Sequence, residues 1–433
     1  MSNIFDLGIL NGRLYLDGRF VESNLYIKNG IVDTISTSYL ECTENYDAKG
    51  KMVLPGFIDA HVHFNLGVGA NVSEDNFYDG SINAAIGGIT TVIDFLDPIK
   101  DVSQLDEAFN KRYELAQKSV IDYSFHVTLG NPDGNVEDLL KKSCSLGMPT
   151  IKLFTTYAST NRQTKDDYID ELLKHSRSTK TRIVVHAENN DMIREKDVLV
   201  KDHEKARPAL SEITEILKLA EIARYRDGLL YIVHTNCGTS LERMKAMYSK
   251  ELHSSIILES APHYFKFNSE VYEKENGYLY TMTPPLRIEE ERERLVDNID
   301  AIDVIATDHC PFSKQLKNKK YTSEISMGIG GVKYSFLNMF TLFGESIISK
   351  FTENPSKIHG LYPKKGTLMP GSDGDVVIFD SNKTTKVIDE NSVYNNEILN
   401  GEIITTISKG KFIVKEGKFL GGQGEYLPRR LEI

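Results

Sequence analysis

His61 and His63 in DAHVHF, Lys152 in TIKLF, His186 in VVHAEN, His234 in IVHTN and Asp308 in ATDHCPF have side chains suited to metal chemistry. Each follows an apolar, β-favouring run. Residues two apart on a strand point to one face, so His61 and His63 aim at the same place. Two converging neutral imidazoles make half of a zinc site. Alone, the pair also fits polar residues where a strand emerges into solvent, and each later histidine fits a satisfied strand end. Four histidines, a lysine and an aspartate at the exits of five strands do not fit that account together.

The elements that must position them alternate along the middle of the chain. Strand-like runs stand at 53–63, 90–95, 121–129, 150–154, 182–186, 229–234, 255–259 and 302–307. Helix-like segments follow at 76–86, 105–118, 136–146, 165–176, 211–225, 239–249, 289–299 and 332–345. Eight strand–helix repeats predict an α/β protein with a (β/α)8 TIM-like barrel, whose catalytic groups collect at the C-terminal strand ends. One misread strand would give an open sheet instead.

Both ends of the chain have a different texture. Asn11-Gly12, Asp17-Gly18 and Asn29-Gly30 lie between β-favouring residues, a strong hairpin signal. Residues 375–380 and 403–416 read as strands, with Gly371, Gly374 and Gly410 at turns. The expected organisation is a small β-sandwich-like domain from 1–52 plus 366–433, around a barrel over 53–365. The tail from Gly417 onward reads as irregular, free or lying on a neighbouring subunit.

Composition narrows the classes. The 433 residues are 40% hydrophobic and 26% charged, with 51 basic against 62 acidic residues and a net charge of −11. Such a balance argues against nucleic acid or an anionic membrane as the main partner. The start, MSNIFDLGIL, has no basic lead before an apolar run, and no stretch of about 18 apolar residues exists, so neither a signal peptide nor a membrane span is expected. Cys42, Cys144, Cys237 and Cys310 show no CxxC spacing and read as free thiols of a cytoplasmic protein.

From PGFIDAHVHF to KKGTLMPGSDGDVVIFD (364–380) the chain resembles the amidohydrolase superfamily, and within it the cyclic amidohydrolases: hydantoinases, dihydropyrimidinases, dihydroorotases and allantoinases. The resemblance implies two divalent metals, most simply zinc. It places His61, His63 and Asp308 on the more buried ion, His186 and His234 on the more exposed one, and a carboxylated Lys152 between them. Neutral imidazoles cannot offset two divalent ions; a carbamate on Lys152, made from carbon dioxide, adds a negative charge, whereas its ammonium would repel both. An ordinary lysine packed at the barrel rim is the alternative. The implied reaction is hydrolysis of a cyclic amide C–N bond by a hydroxide shared between the metals. Asp308 relays the proton to the leaving nitrogen, and Tyr157 of KLFTTY steadies the oxyanion. From spacing alone, Tyr157 equally fits an aromatic at the barrel mouth. Relatives of this kind are often dimers or tetramers, which implies a homo-oligomer.

The segments between the ligands bear on the ring. Dihydroorotases carry an arginine two residues after HxH to hold a carboxylate; here Asn65 occupies that position. Residues 72–95, MTPPLR (282–287) and TDHCPF (307–312) are similar to hydantoinases and dihydropyrimidinases, with Thr283 expected to hold the ring amide through its backbone. Two stretches depart. PHY, closer to allantoinases and dihydroorotases, places His263 where hydantoinases usually have glutamine, and MGIGGVK (327–333), which resembles the glycine-rich loop of allantoinases, places Met327 near the position of a substrate-contacting asparagine. An allantoinase or dihydroorotase-like ring specificity is therefore the alternative. A non-catalytic role like that of the collapsin response mediator proteins conflicts with the complete ligand set. The segment 310–331, at about 20 residues, is long enough for a lid, and its Lys314, Lys317, Lys319 and Lys320 read as a solvated basic face. Residues 66–80 are a second candidate for closing over the ring.

Overall fold

Eight buried strands form one parallel sheet in chain order. They are Phe57–Asp59, Ile89–Phe95, Asp122–Thr128, Thr150–Phe154, Arg182–His186, Leu230–Ile232, Ile256–Ser260 and Val304–Ile305. Both faces of these strands are covered, which is why they read as continuous apolar runs. After the eighth strand, His63 N donates to His309 O at 2.9 Å, and Val62 bridges His309 in parallel, bringing the last strand back to the first. The computed structural model describes residues 4–432; residues 1–3 and 433 of the expected β domain lie outside the described residues. Helices follow the strands as expected, for example Asp166–Thr179 and Ala209–Arg226.

Alternation along the strands sorts side chains between two cores. Val184, Tyr231 and Ile257 pack inside the barrel, while their neighbours Ile183, Val185, Leu230, Ile232, Ile256 and Leu258 pack outward under the helices. Ile151 and Leu153 likewise face outward, which turns Lys152 between them inward. His186 shares the parity of Val184. Two of the site residues thus owe their direction to a period of two.

The chain ends build a nine-stranded mixed sheet, and here the expected single strand over 53–63 divides. Met52–Pro55 lies in the mixed sheet, parallel to Phe5–Leu16 and antiparallel to Val376–Lys386. Phe57–Asp59 begins the barrel. Gly56 makes the passage: a Cβ there would meet Thr90 Oγ1 at 2.2 Å and Asp375 Cβ at 2.9 Å. A buried ion cluster clamps the two sheets, with Lys365 Nζ 2.7 Å from Asp122 and Asp375 and 2.9 Å from Asp373.

Two further expectations change. Asp17-Gly18 and Asn29-Gly30 do turn between strands, but Asn11-Gly12 lies within Phe5–Leu16 as a bulge against the next strand. The tail is neither free nor borrowed. Tyr426 packs its ring 5.3 Å from Phe109 and 5.5 Å from Phe125. Fully buried Arg429 donates to Ser124 Oγ at 2.8 Å, Thr150 Oγ1 at 2.7 Å and His359 O at 3.2 Å. Those partners belong to distant parts of the chain, so nothing near the tail in sequence announces them.

Candidate metal centre

Past the first strand, His61 and His63 alternate with Val62 and bring both Nε2 atoms to one oxygen of Asp308, at 3.2 and 3.1 Å. One ligand atom from each of the three lies within 4.8 Å of the others. His61 is further constrained on its other side. Its Nδ1 donates to Glu259 Oε1 at 2.7 Å, and Glu259 also accepts from Tyr231 Oη at 2.6 Å and His234 N at 3.2 Å. With the ring proton at Nδ1, the Nε2 lone pair faces a carboxylate oxygen. Lone pair against anion is repulsive unless a proton or a metal cation stands between them, and this donor set fits a divalent ion. Without a cation the proton supplies the charge: burial opposes it, but Glu259 and Asp308 lift His61 to about 9. Burial lowers His63, whose Nδ1 is buried without a hydrogen-bond partner. Asp308 is held well below the carboxylate range by His61 and His63, against its burial.

The other candidates close the ring of the barrel mouth. His186 and His234 meet with ring centroids 4.5 Å apart, and His234 lies 5.6 Å from His61. His186 Nε2 donates to Glu188 Oε2 at 2.7 Å, which leaves Nδ1 with its lone pair. Burial lowers His186 and takes His234 well below its ordinary value, so both are neutral and able to ligate. Lys152, 2% exposed, sets its Nζ 5.6 Å from the Phe95 ring and 5.4 Å from the Phe154 ring. Burial there lowers its pKa to about 8, bringing the neutral amine within reach of ordinary conditions.

Asp308 at φ 50°, His234 at φ 39° and Tyr157 at φ 67° all adopt left-handed backbone. Such conformations cost about 1–3 kcal/mol each and persist where surrounding structure enforces them. Tyr157 is half-buried; its hydroxyl meets Thr283 Oγ1 at 2.6 Å, and its pKa is pushed up to about 12 by burial. Hence it stays a proton donor.

The remaining candidates are placed unevenly. His263 is buried with an unpartnered Nε2, and burial holds it at about 4. Asn65 turns aside: its Oδ1 accepts from Phe77 N at 3.3 Å, at the start of helix Phe77–Ile86. Met327 is half-buried beside Gly328, whose N donates to Thr281 O at 3.0 Å.

A protein-family model described as the Amidohydrolase family matches residues 52–413. The chain belongs to the amidohydrolase family. It is 32% identical over 448 residues to a D-phenylhydantoinase of Escherichia coli O1:K1 / APEC, with 96% of each chain covered. It superimposes on a D-hydantoinase from a Bacillus sp. AR9 with a TM-score of 0.92 and 25% identity, over 99% of this chain and 100% of that one. A dihydropyrimidinase from Brevibacillus agri NCHU1002 gives 0.88 and 26%, over 98% of each chain.

This amidohydrolase holds its candidate ligands through residues outside the metal-ligand motifs. Glu259 lies four residues before His263, at the start of ESAPHYF (259–265). Glu188, two residues after His186, is clamped by Arg207 through Nε at 3.1 Å and Nη2 at 2.6 Å. A period of two extended past His186 points to Glu188; nothing local points to Arg207. Carboxylates behind ligating imidazoles fix the tautomer and raise basicity. Glu259→Gln is therefore expected to weaken metal binding by about 10- to 100-fold, measured by competition with a chromophoric chelator. Affinity equal to the parent protein would remove Glu259 from this role.

Proposed function

We propose that the chain opens a cyclic amide ring of the hydantoin or dihydropyrimidine type, with two divalent metals, most simply zinc, held at the barrel mouth. The observation that carries this reading is the convergence of His61, His63 and Asp308 within 4.8 Å. End-to-end similarity to proteins named D-phenylhydantoinase and dihydropyrimidinase supports the ring class. His61, His63 and Asp308 would hold one ion and His186 and His234 the other, with a carboxylated Lys152 shared. Bound metals supply an activated water near neutral pH and polarise the carbonyl.

The chain's own groups do the rest. Asp308 accepts the proton of the attacking water and returns it to the ring nitrogen as the C–N bond breaks, leaving a carboxylate and a freed nitrogen. The Tyr157 hydroxyl donates to the carbonyl oxygen as it gains charge, held in place by Thr283 Oγ1 at 2.6 Å. The Thr283 backbone holds the ring amide. The reading includes a cytoplasmic homo-oligomer; among the described residues, no helix is long and apolar enough to cross a membrane.

A second reading is an allantoinase-type ring. Buried His263, with its free Nε2, favours it, since glutamine stands there in hydantoinases. The metal-loaded protein should turn over hydantoin or dihydrouracil and leave dihydroorotate untouched, because Asn65 cannot hold a carboxylate as arginine does. Best turnover of allantoin would select the second reading. Best turnover of dihydroorotate, or none of the four, would overturn the proposal.

A further inference from the structure

The basic face expected on the segment 310–331 is incomplete. Lys314, Lys319 and Lys320 are exposed, but Lys317 is 2% exposed. It ends the short helix Lys314–Lys317 and sends its Nζ inward, donating to Thr281 O at 2.8 Å and to Gly328 O. Among the described residues no carboxylate lies within ion-pair distance of it. An ammonium buried without a counter-charge is costly, and burial lowers Lys317 to about 7. The position therefore needs a reason, and the two carbonyls supply one.

Thr281 precedes Thr283 by two residues, and Gly328 follows Met327. These are the candidate ring contacts on opposite segments of the mouth. Gly328 N also donates to Thr281 O, so the two segments meet through one carbonyl and one amine. Gly328 is itself held close to the start of its own segment: it has φ 141°, and a Cβ there would meet Cys310 O at 2.4 Å. Elsewhere the segment is held by Thr322 N donating to Val198 O at 2.8 Å, by Asn71 Nδ2 donating to Ser326 Oγ at 3.0 Å, and by Ile329 packed into the core. Beside Lys317 it borders a cavity of about 420 Å³ lined by Leu279, His309, Lys317 and Tyr334.

We propose that Lys317 is a positioning residue, a latch that fixes the 310–331 segment against Thr281 and so sets the spacing of Thr283 and Met327 across the substrate ring. The substrate half of this inference rests on the ring-hydrolase reading; the latch itself does not. Lys317→Met keeps the stem and removes the donors. Since neither Thr283 nor Met327 is among the candidate metal ligands, the loss falls on binding shared by substrate and transition state. We expect KM to rise about tenfold, kcat to stay within about threefold, and metal content to stay at the parent value. Hydrogen exchange across 310–331 should quicken about tenfold, and Lys317→Arg should restore much of both effects.

Unchanged exchange in Lys317→Met overturns the latch, whether or not any substrate is found. Faster exchange with unchanged KM overturns the positioning role, as does a collapse of kcat together with metal loss. Failure of the parent protein to open any ring counts against the hydrolase reading instead, and the exchange arm still decides the latch. Should Lys317→Met not fold, Gly328→Ala pushes the Gly328 backbone off the Cys310 carbonyl and so disturbs both its bond to Thr281 O and its bond from Lys317, with the same outcomes expected.

Discussion

Lys152→Ala is expected to lose ring opening by about 10³-fold or more, together with at least one metal equivalent, because it removes the charge that two adjacent cations need. The strand parity that turns Lys152 inward also removes it from water, at 2% exposure. Carbon dioxide adds to a neutral amine, and burial lowers this one to about 8. The resulting carbamate would face His186 and His234 on one side and the His61–Asp308 group on the other. The space vacated beyond Cβ by the lysine side chain admits a small carboxylic acid, so acetate or propionate at high concentration should restore part of the activity. Assays of kcat and metal content with and without acetate check this. Full activity in the variant refutes the carbamate.

Asp308→Asn is expected to lower kcat by about 10²–10⁴-fold at saturating metal, with a smaller change in KM. An amide cannot accept the water proton or return it to nitrogen. The depressed pKa of Asp308 keeps its carboxylate ionised at neutral pH, the state a base requires. Its placement follows from the end of the eighth strand, where Thr307 N and Oγ1 donate to Asp59 at 3.1 and 2.6 Å and lock that strand to the first. Steady-state kinetics at saturating zinc separate the proton role from the ligand role. A kcat within tenfold of the parent would remove Asp308 as the proton carrier.

Much of this was legible before the structure, for a physical reason. Parallel strands covered on both faces are continuous apolar runs, and five of the eight runs here carry a candidate ligand at or near the end where polarity returns. The barrel and the six candidate metal ligands share that one signal. What escaped it depends on contacts between distant residues. Met52–Pro55 and Phe57–Asp59 read as one strand because both are apolar, and only the crowding of Gly56 by Thr90 and Asp375 parts them. Glu259 behind His61, Arg207 behind Glu188 and Arg429 beneath Ser124 and Thr150 are polar residues whose partners lie far off in sequence. Lys317 sits in a basic run that looks solvated, yet two carbonyls draw it inward. Asn65 was legible as the absence of an arginine, while its use at a helix start was not.

The central claim is a two-metal ring hydrolase, and a zinc titration of the metal-free protein tests it most directly. With ring opening of hydantoin and dihydrouracil followed as zinc is added in the presence of bicarbonate, activity should climb and level off at two equivalents per chain. A plateau at one equivalent, activity without added metal, or no ring opening at two equivalents would contradict it.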